Sequence, residues 1–166
     1  MSADPVADLS AAWGRELPDL DVGMMATVAR LNRLALLINR HVDAALAEQG
    51  RSLADFDVLA ALRRVGAPYQ LKPSELSRQV MLSPSGMTHR IDLLERERLV
   101  ERRVDPTNRR TMPVALTAEG VAVAEKLARL VVQTETQLLS GLTSAQQTSL
   151  DRLTSRVIGD LTPPVA

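Results

Sequence analysis

The sequence has no cysteine, so disulfides, thiolate metal sites and thiol-based redox sensing are excluded. Aromatic residues are nearly absent, with Trp13, Phe56 and Tyr69 the only three. A core this poor in rings must be built from Leu, Val, Ala and Met, which suits packed helices. Histidine is scarce as well: His41 and His89 stand far apart, and no compact zinc-ligand set can be drawn from them and scattered carboxylates. Long hydrophobic runs are missing. The stretch Leu34 to Ile38 is among the longest, far too short to span a membrane. The start, Met1-Ser2-Ala3-Asp4, has neither a basic stretch nor an apolar signal core, which implies a cytoplasmic protein. No Gly-rich phosphate loop, no Gly-x-Ser-x-Gly elbow and no metal-binding His pair occurs, so no enzyme chemistry has a candidate site and no cofactor is implied.

What is present fits one domain of 166 residues. Formal net charge is zero, yet the charge is unevenly spread. Residues 72–110 hold nine Lys/Arg against six Asp/Glu, and the remainder carries the opposite excess. An arginine-rich stretch of this kind hints at nucleic acid, although a solvated charged face would also be mixed in sign.

Helix signals recur along the chain. Asp4-Pro5 opens a first helix, striped by Leu9, Trp13 and Leu17. A long helix follows from about Val22 to Glu48, with Leu31, Leu34, Ile38, Val42 and Leu46 on one side and Gly50 closing it. Ser52-Leu53-Ala54-Asp55 resembles a capping box for a third helix reaching Val65. Two short helices come next, over Lys72–Val80 and from Ser83-Pro84 to about Arg98. Leu99–Val104 and Thr111–Leu116 read as strands, joined by the turn residues Asp105-Pro106-Thr107-Asn108. Thr117 caps a long helix to about Leu139. Thr143 to Gln146 caps the last, striped by Leu150, Leu153, Val157 and Leu161.

Two short helices, a tight turn and a basic hairpin, in that order, make a winged helix-turn-helix. On the second helix Met87, Ile91 and Leu94 share one side and face inward. Ser85, Thr88, His89, Asp92 and Arg96 project from the other, where hydroxyls, imidazole and guanidinium can meet base edges or phosphates. The helix N-terminus at Ser83 can receive a phosphate. Arg109 and Arg110 at the hairpin tip suit the minor groove or its phosphates. The plainer alternative is an α+β domain with an exposed charged hairpin. Arg90 stands near the inward edge of the recognition helix and needs a counter-charge, for which Asp57 is a candidate.

The string Leu82-Ser83-Pro84-Ser85-Gly86-Met87-Thr88-His89-Arg90-Ile91, with Leu93-Leu94-Glu95, Leu99-Val100-Glu101-Arg102, Asp105-Pro106, Arg109-Arg110 and Leu116-Thr117 with Gly120, resembles the MarR family of regulators. The resemblance implies a mainly α fold with a small β-hairpin wing. The winged helix-turn-helix would occupy about 53–116, with dimerisation helices at about 4–49 and 117–161. It further implies a homodimer on double-stranded DNA at a pseudo-palindromic operator, repression, and release by a small-molecule effector. Trp13, Asp57, Arg90 and Arg102 resemble the pocket residues of the urate-responsive subgroup, where a flat anion stacks on an indole and is held by arginines. Another phenolic or carboxylate ligand or drug stays open, as does a dimeric interaction module without DNA binding.

Overall fold

The computed structural model describes residues 4–80, 82–104 and 112–162. Among the described residues, seven helices and three short strands follow in the order α1 (Pro5–Glu16), α2 (Gly23–Ala47), α3 (Leu53–Arg64), β1 (Gln70–Leu71), α4 (Pro73–Gln79), α5 (Pro84–Arg96), β2 (Val100–Arg102), β3 (Val114–Leu116), α6 (Ala118–Leu138) and α7 (Ser144–Leu161). The fold is mostly helical with one small antiparallel sheet, the arrangement of a winged helix.

Local chemistry explains the boundaries. Asp4 accepts from the Val6 N–H ahead of Pro5, so α1 starts with its donors satisfied. Ser52 and Asp55 cap α3 reciprocally, and Thr143 and Gln146 do the same for α7. Beyond α2, Gly50 takes φ +69°, a left-handed conformation that suits a residue with no Cβ.

The sheet has order β1-β3-β2, with Leu71 and Arg102 both opposite Val114. The sequence pattern predicts β2 and β3 at greater length and does not anticipate β1, which has only two residues. Leu46, Leu59, Leu62, Leu76, Met87, Leu94, Leu99 and Leu127 form the fully buried centre, drawn from α2 to α6 and the segment leading into β2. No aromatic side chain belongs to that centre. Gly120 near the start of α6 lies so close to the main chain that an added Cβ would stand 1.9 Å from the Leu99 carbonyl oxygen.

The expected stripe on α2 is only half internal. Val42 and Leu46 are buried, but Leu31 and Leu34 are exposed. The reason is that the C-terminal half of α2 packs into the lobe, whereas its N-terminal half lies alongside α1, where Val6 and Ala26 are buried. Helix α7 buries none of its residues, leaving Leu153, Val157, Ile158 and Leu161 uncovered. No helix among the described residues is long and apolar enough to cross a membrane.

Candidate nucleic-acid interface

Helix α5 presents two chemically opposed sides. Met87, Ile91 and Leu94 are buried, while Ser85, Thr88, His89 and Arg96 are exposed. The 3.6-residue period places these sets on opposite faces, so packing one face into the lobe forces the other outward. Ser83 caps the helix: its hydroxyl accepts the Gly86 N–H at 3.1 Å and lies 3.3 Å from the Ser85 Oγ. Arg96 Nε donates to the Asp92 carbonyl at 3.3 Å. The wing-tip residues Arg109 and Arg110, with Asp105 and Asn108, lie outside the described residues.

Two ion-pair braces hold this helix. The first runs to α3. Arg90 Nη1 donates to Asp55 Oδ1 at 2.8 Å, and the other oxygen of the same carboxylate accepts from the Ser52 N–H and hydroxyl, each at 2.8 Å. Asp55 is 6% exposed and is the buried charged residue among those described. The counter-charge of Arg90 is therefore Asp55 and not the anticipated Asp57. Two positions along a helix turn a side chain by about 200°, so Asp57 faces away from α5.

The second brace joins the wing to the helix. The Arg102 guanidinium reaches both Asp92 and Glu95, and the Arg102 N–H donates to Glu95 at 3.1 Å. The hydrogen bond that Arg102 donates to Asp92, reinforced by Glu95, raises the pKa of the Arg102 guanidinium above its ordinary value against the opposing effect of burial. Asp92, expected to face a groove, is thus partly neutralised, which removes an anion from a surface suited to phosphates.

No described cavity is lined by more than one of the four anticipated effector residues. No described hydrogen bond or ion pair joins Trp13 or Asp57 to Arg90 or Arg102. Trp13 is 45% exposed on α1, beside Leu9, Ala12 and Glu16. Of the four, Asp57 alone lines a cleft of about 630 Å³ between the long helices α2 and α6 and the elements α3 and α4. Phe56, Arg64, Gln79 and Glu135 also line it. Burial pushes the Asp57 carboxyl up from its usual range, and the positive charge of Arg64 only partly offsets this. Arg64 and Glu135 were not anticipated. The spacing of Asp57 and Arg64, two turns apart on one helix face, is the signal that could have paired them.

A model of the MarR family matches residues 49–111. The HTH-type transcriptional regulator PecS of Dickeya dadantii is 36% identical over 152 residues, covering 92% of each chain. Sco3205, a MarR family transcriptional regulator of Streptomyces coelicolor solved in complex with DNA, is 25% identical, with a TM-score of 0.76 over 87% of this chain and 91% of that one. Rv2887, a Mycobacterium tuberculosis MarR family protein solved with p-aminosalicylic acid, is 27% identical, with a TM-score of 0.65 over 78% of this chain and 95% of that one. These relatives are regulators and not enzymes.

Proposed function

Since the chain belongs to the MarR family of transcriptional regulators, we propose that it binds operator DNA as a homodimer and represses transcription until a small aromatic ligand releases it. The observation that carries this reading is α5: one face buried, the opposite face exposed in Ser85, Thr88, His89 and Arg96, and the whole helix braced from both flanks. Rigid presentation of short polar groups is what base-edge contact in a major groove needs. Ser83 at the helix start and Arg109 and Arg110 on the wing supply phosphate and minor-groove contacts.

The chain works as a single unit over 1–166. Residues 53–116 form the DNA lobe, and the helices at 4–49 and 117–161 form the dimer. Support for the dimer comes from α7, an 18-residue helix with no buried residue, and from the uncovered Leu9, Trp13, Met24 and Val28 at the other end of the chain. Apolar surface on this scale calls for a partner. A two-fold dimer would read half-sites about 34–36 Å apart, one helical turn of DNA.

For the effector, the finer reading is an anion such as urate acting at Arg90 and Arg102, with Trp13 and Asp57 contributed as the dimer assembles. The braces give this a mechanism. An anion that takes the guanidinium donors of Arg90 or Arg102 displaces Asp55, or Asp92 and Glu95, and frees the recognition helix to tilt. DNA affinity falls only if the anion prefers the tilted state.

Fluorescence anisotropy of a labelled duplex from the region upstream of the gene tests this. Competitor-resistant binding that urate reverses supports both parts. Binding that ignores urate and p-aminosalicylate refutes the anion mechanism alone. Binding unchanged by Arg109→Glu refutes the wing contact.

A further inference from the structure

Helix α5 is gripped at a third place, its C-terminal end. The Arg51 guanidinium donates through Nη1 to the Glu97 carboxylate, and only 20% of the Arg51 side chain is exposed, against 43% for Glu97. Glu97 is the C-cap of α5, its N–H donating to the Leu93 carbonyl at 3.1 Å. A carboxylate is poorly placed there, because the last carbonyls of a helix give that end partial negative charge. A cation brought to the same point offsets both. Arg51 is held where it can deliver that charge. Its N–H donates to the Leu46 carbonyl at 3.0 Å and completes the close of α2 behind Gly50. The next residue, Ser52, caps α3, and the Leu53 N–H donates to Asp43 of α2 at 2.8 Å. Residues 51–55 therefore form a fixed corner between α2 and α3.

This corner meets α5 twice: Asp55 takes Arg90, and Arg51 takes Glu97. Arg90 and Glu97 are seven residues apart, which is two turns and about 10 Å along one side of the helix. A helix tied at one point pivots about it, whereas ties two turns apart fix its direction. We propose that Arg51 and Glu97 are positioning residues for DNA recognition: they set the tilt of α5 against α2, and with it the discrimination between operator and other DNA. The inference rests on the regulator reading. Ser83 also lies seven residues from Arg90, toward the other end of the helix. A tilt of about 10° about Arg90 therefore moves the start of the recognition surface by about 2 Å. Hydrogen bonds to base edges do not stretch that far. Flexible cations on phosphates adjust, so specific binding suffers and non-specific binding does not. A partly exposed pair contributes modestly to stability, so discrimination and not unfolding is the quantity to read.

Fluorescence anisotropy with the full chain at fixed salt measures the ratio of affinities for two labelled duplexes. One is the sequence that the wild-type chain enriches from a random pool, and the other is its scramble. Arg51→Met removes a positive charge and Glu97→Gln a negative one. Acting on DNA by charge alone, the two would shift affinity for both duplexes in opposite senses and leave the ratio unchanged. As positioning residues, each lowers the ratio by about two- to five-fold, the range that one partly exposed ion pair commands. Arg51→Glu lowers it further, and Arg51→Glu combined with Glu97→Arg restores it towards wild type. Circular dichroism at the assay temperature checks that each variant is folded. A ratio equal to wild type in both Arg51→Met and Glu97→Gln, or a swapped pair no better than Arg51→Glu alone, overturns the inference and leaves the regulator reading intact. A wild-type chain that enriches no sequence overturns the regulator reading, and the inference with it.

Discussion

Substituting Asp55 by Asn removes the charge that holds Arg90 while keeping an oxygen able to accept the Ser52 N–H. The capping of α3 therefore largely survives, and the recognition-helix brace does not. Breaking a fully buried ion pair by deleting one partner costs about 3–5 kcal/mol. Arg90 is 24% exposed in its side chain, so water takes over part of its solvation. A loss of about 1.5–3 kcal/mol in unfolding free energy is the working value. Asp55→Ala also deletes the capping box and should lose about 1 kcal/mol more. Arg90→Met leaves Asp55 buried without its cation and should cost at least as much as Asp55→Asn. The double variant, Asp55→Asn with Arg90→Met, should then be more stable than the sum of the two losses implies. Urea unfolding followed by circular dichroism, at one fixed protein concentration because the proposed dimer would couple association to folding, gives the four free energies of the cycle. A coupling below about 0.3 kcal/mol, the range in which independent sites simply add, would refute the brace.

Other consequences follow from the same geometry. Arg102→Gln should loosen the wing against α5 and lower operator affinity more than non-specific affinity, since it alters positioning and not phosphate contact; parallel titrations on operator and scrambled duplexes decide it. Gly120→Ala places a methyl against the Leu99 carbonyl and should destabilise by about 2 kcal/mol or more; an unchanged melting temperature contradicts the close approach. Asp57 has a folded-state pKa above its unfolded value of 3.8. Its contribution to stability is present below that value and is lost as pH rises through the folded pKa. Asp57→Asn should therefore raise the melting temperature at neutral pH and flatten its decline between acid and neutral pH, as differential scanning calorimetry would report. A variant that melts lower at pH 7 than wild type shows that the charge is not penalised.

Much of this is legible in the sequence alone, and the reasons are local. Met87, Ile91 and Leu94 fall on one helical face by spacing alone, and the caps at Asp4, Ser52 and Thr143 are short-range chemistry. Gln70–Leu71 was not legible, because a two-residue strand has no periodicity and exists only by pairing with β3. The partner of Arg90 depended on rotational phase. Asp55 and Asp57 are two residues apart, and only the docking angle of α3 on α5 selects between them. Leu31 and Leu34 share the periodicity of Val42 and Leu46, so sequence could not say that the lobe ends partway along α2. The cleft was hidden for a different reason: Asp57, Gln79 and Glu135 come from three helices distant in sequence.

The central claim is that two copies of this chain read one symmetric DNA site through α5 and the wing. Selection of the full chain against a pool of random duplexes, with sequencing of the retained fraction, tests it most directly. The account predicts enrichment of an inverted repeat whose half-sites are centred about one helical turn apart, lost on Arg109→Glu. A retained pool with no enriched motif, or with an unpaired half-site alone, would contradict it.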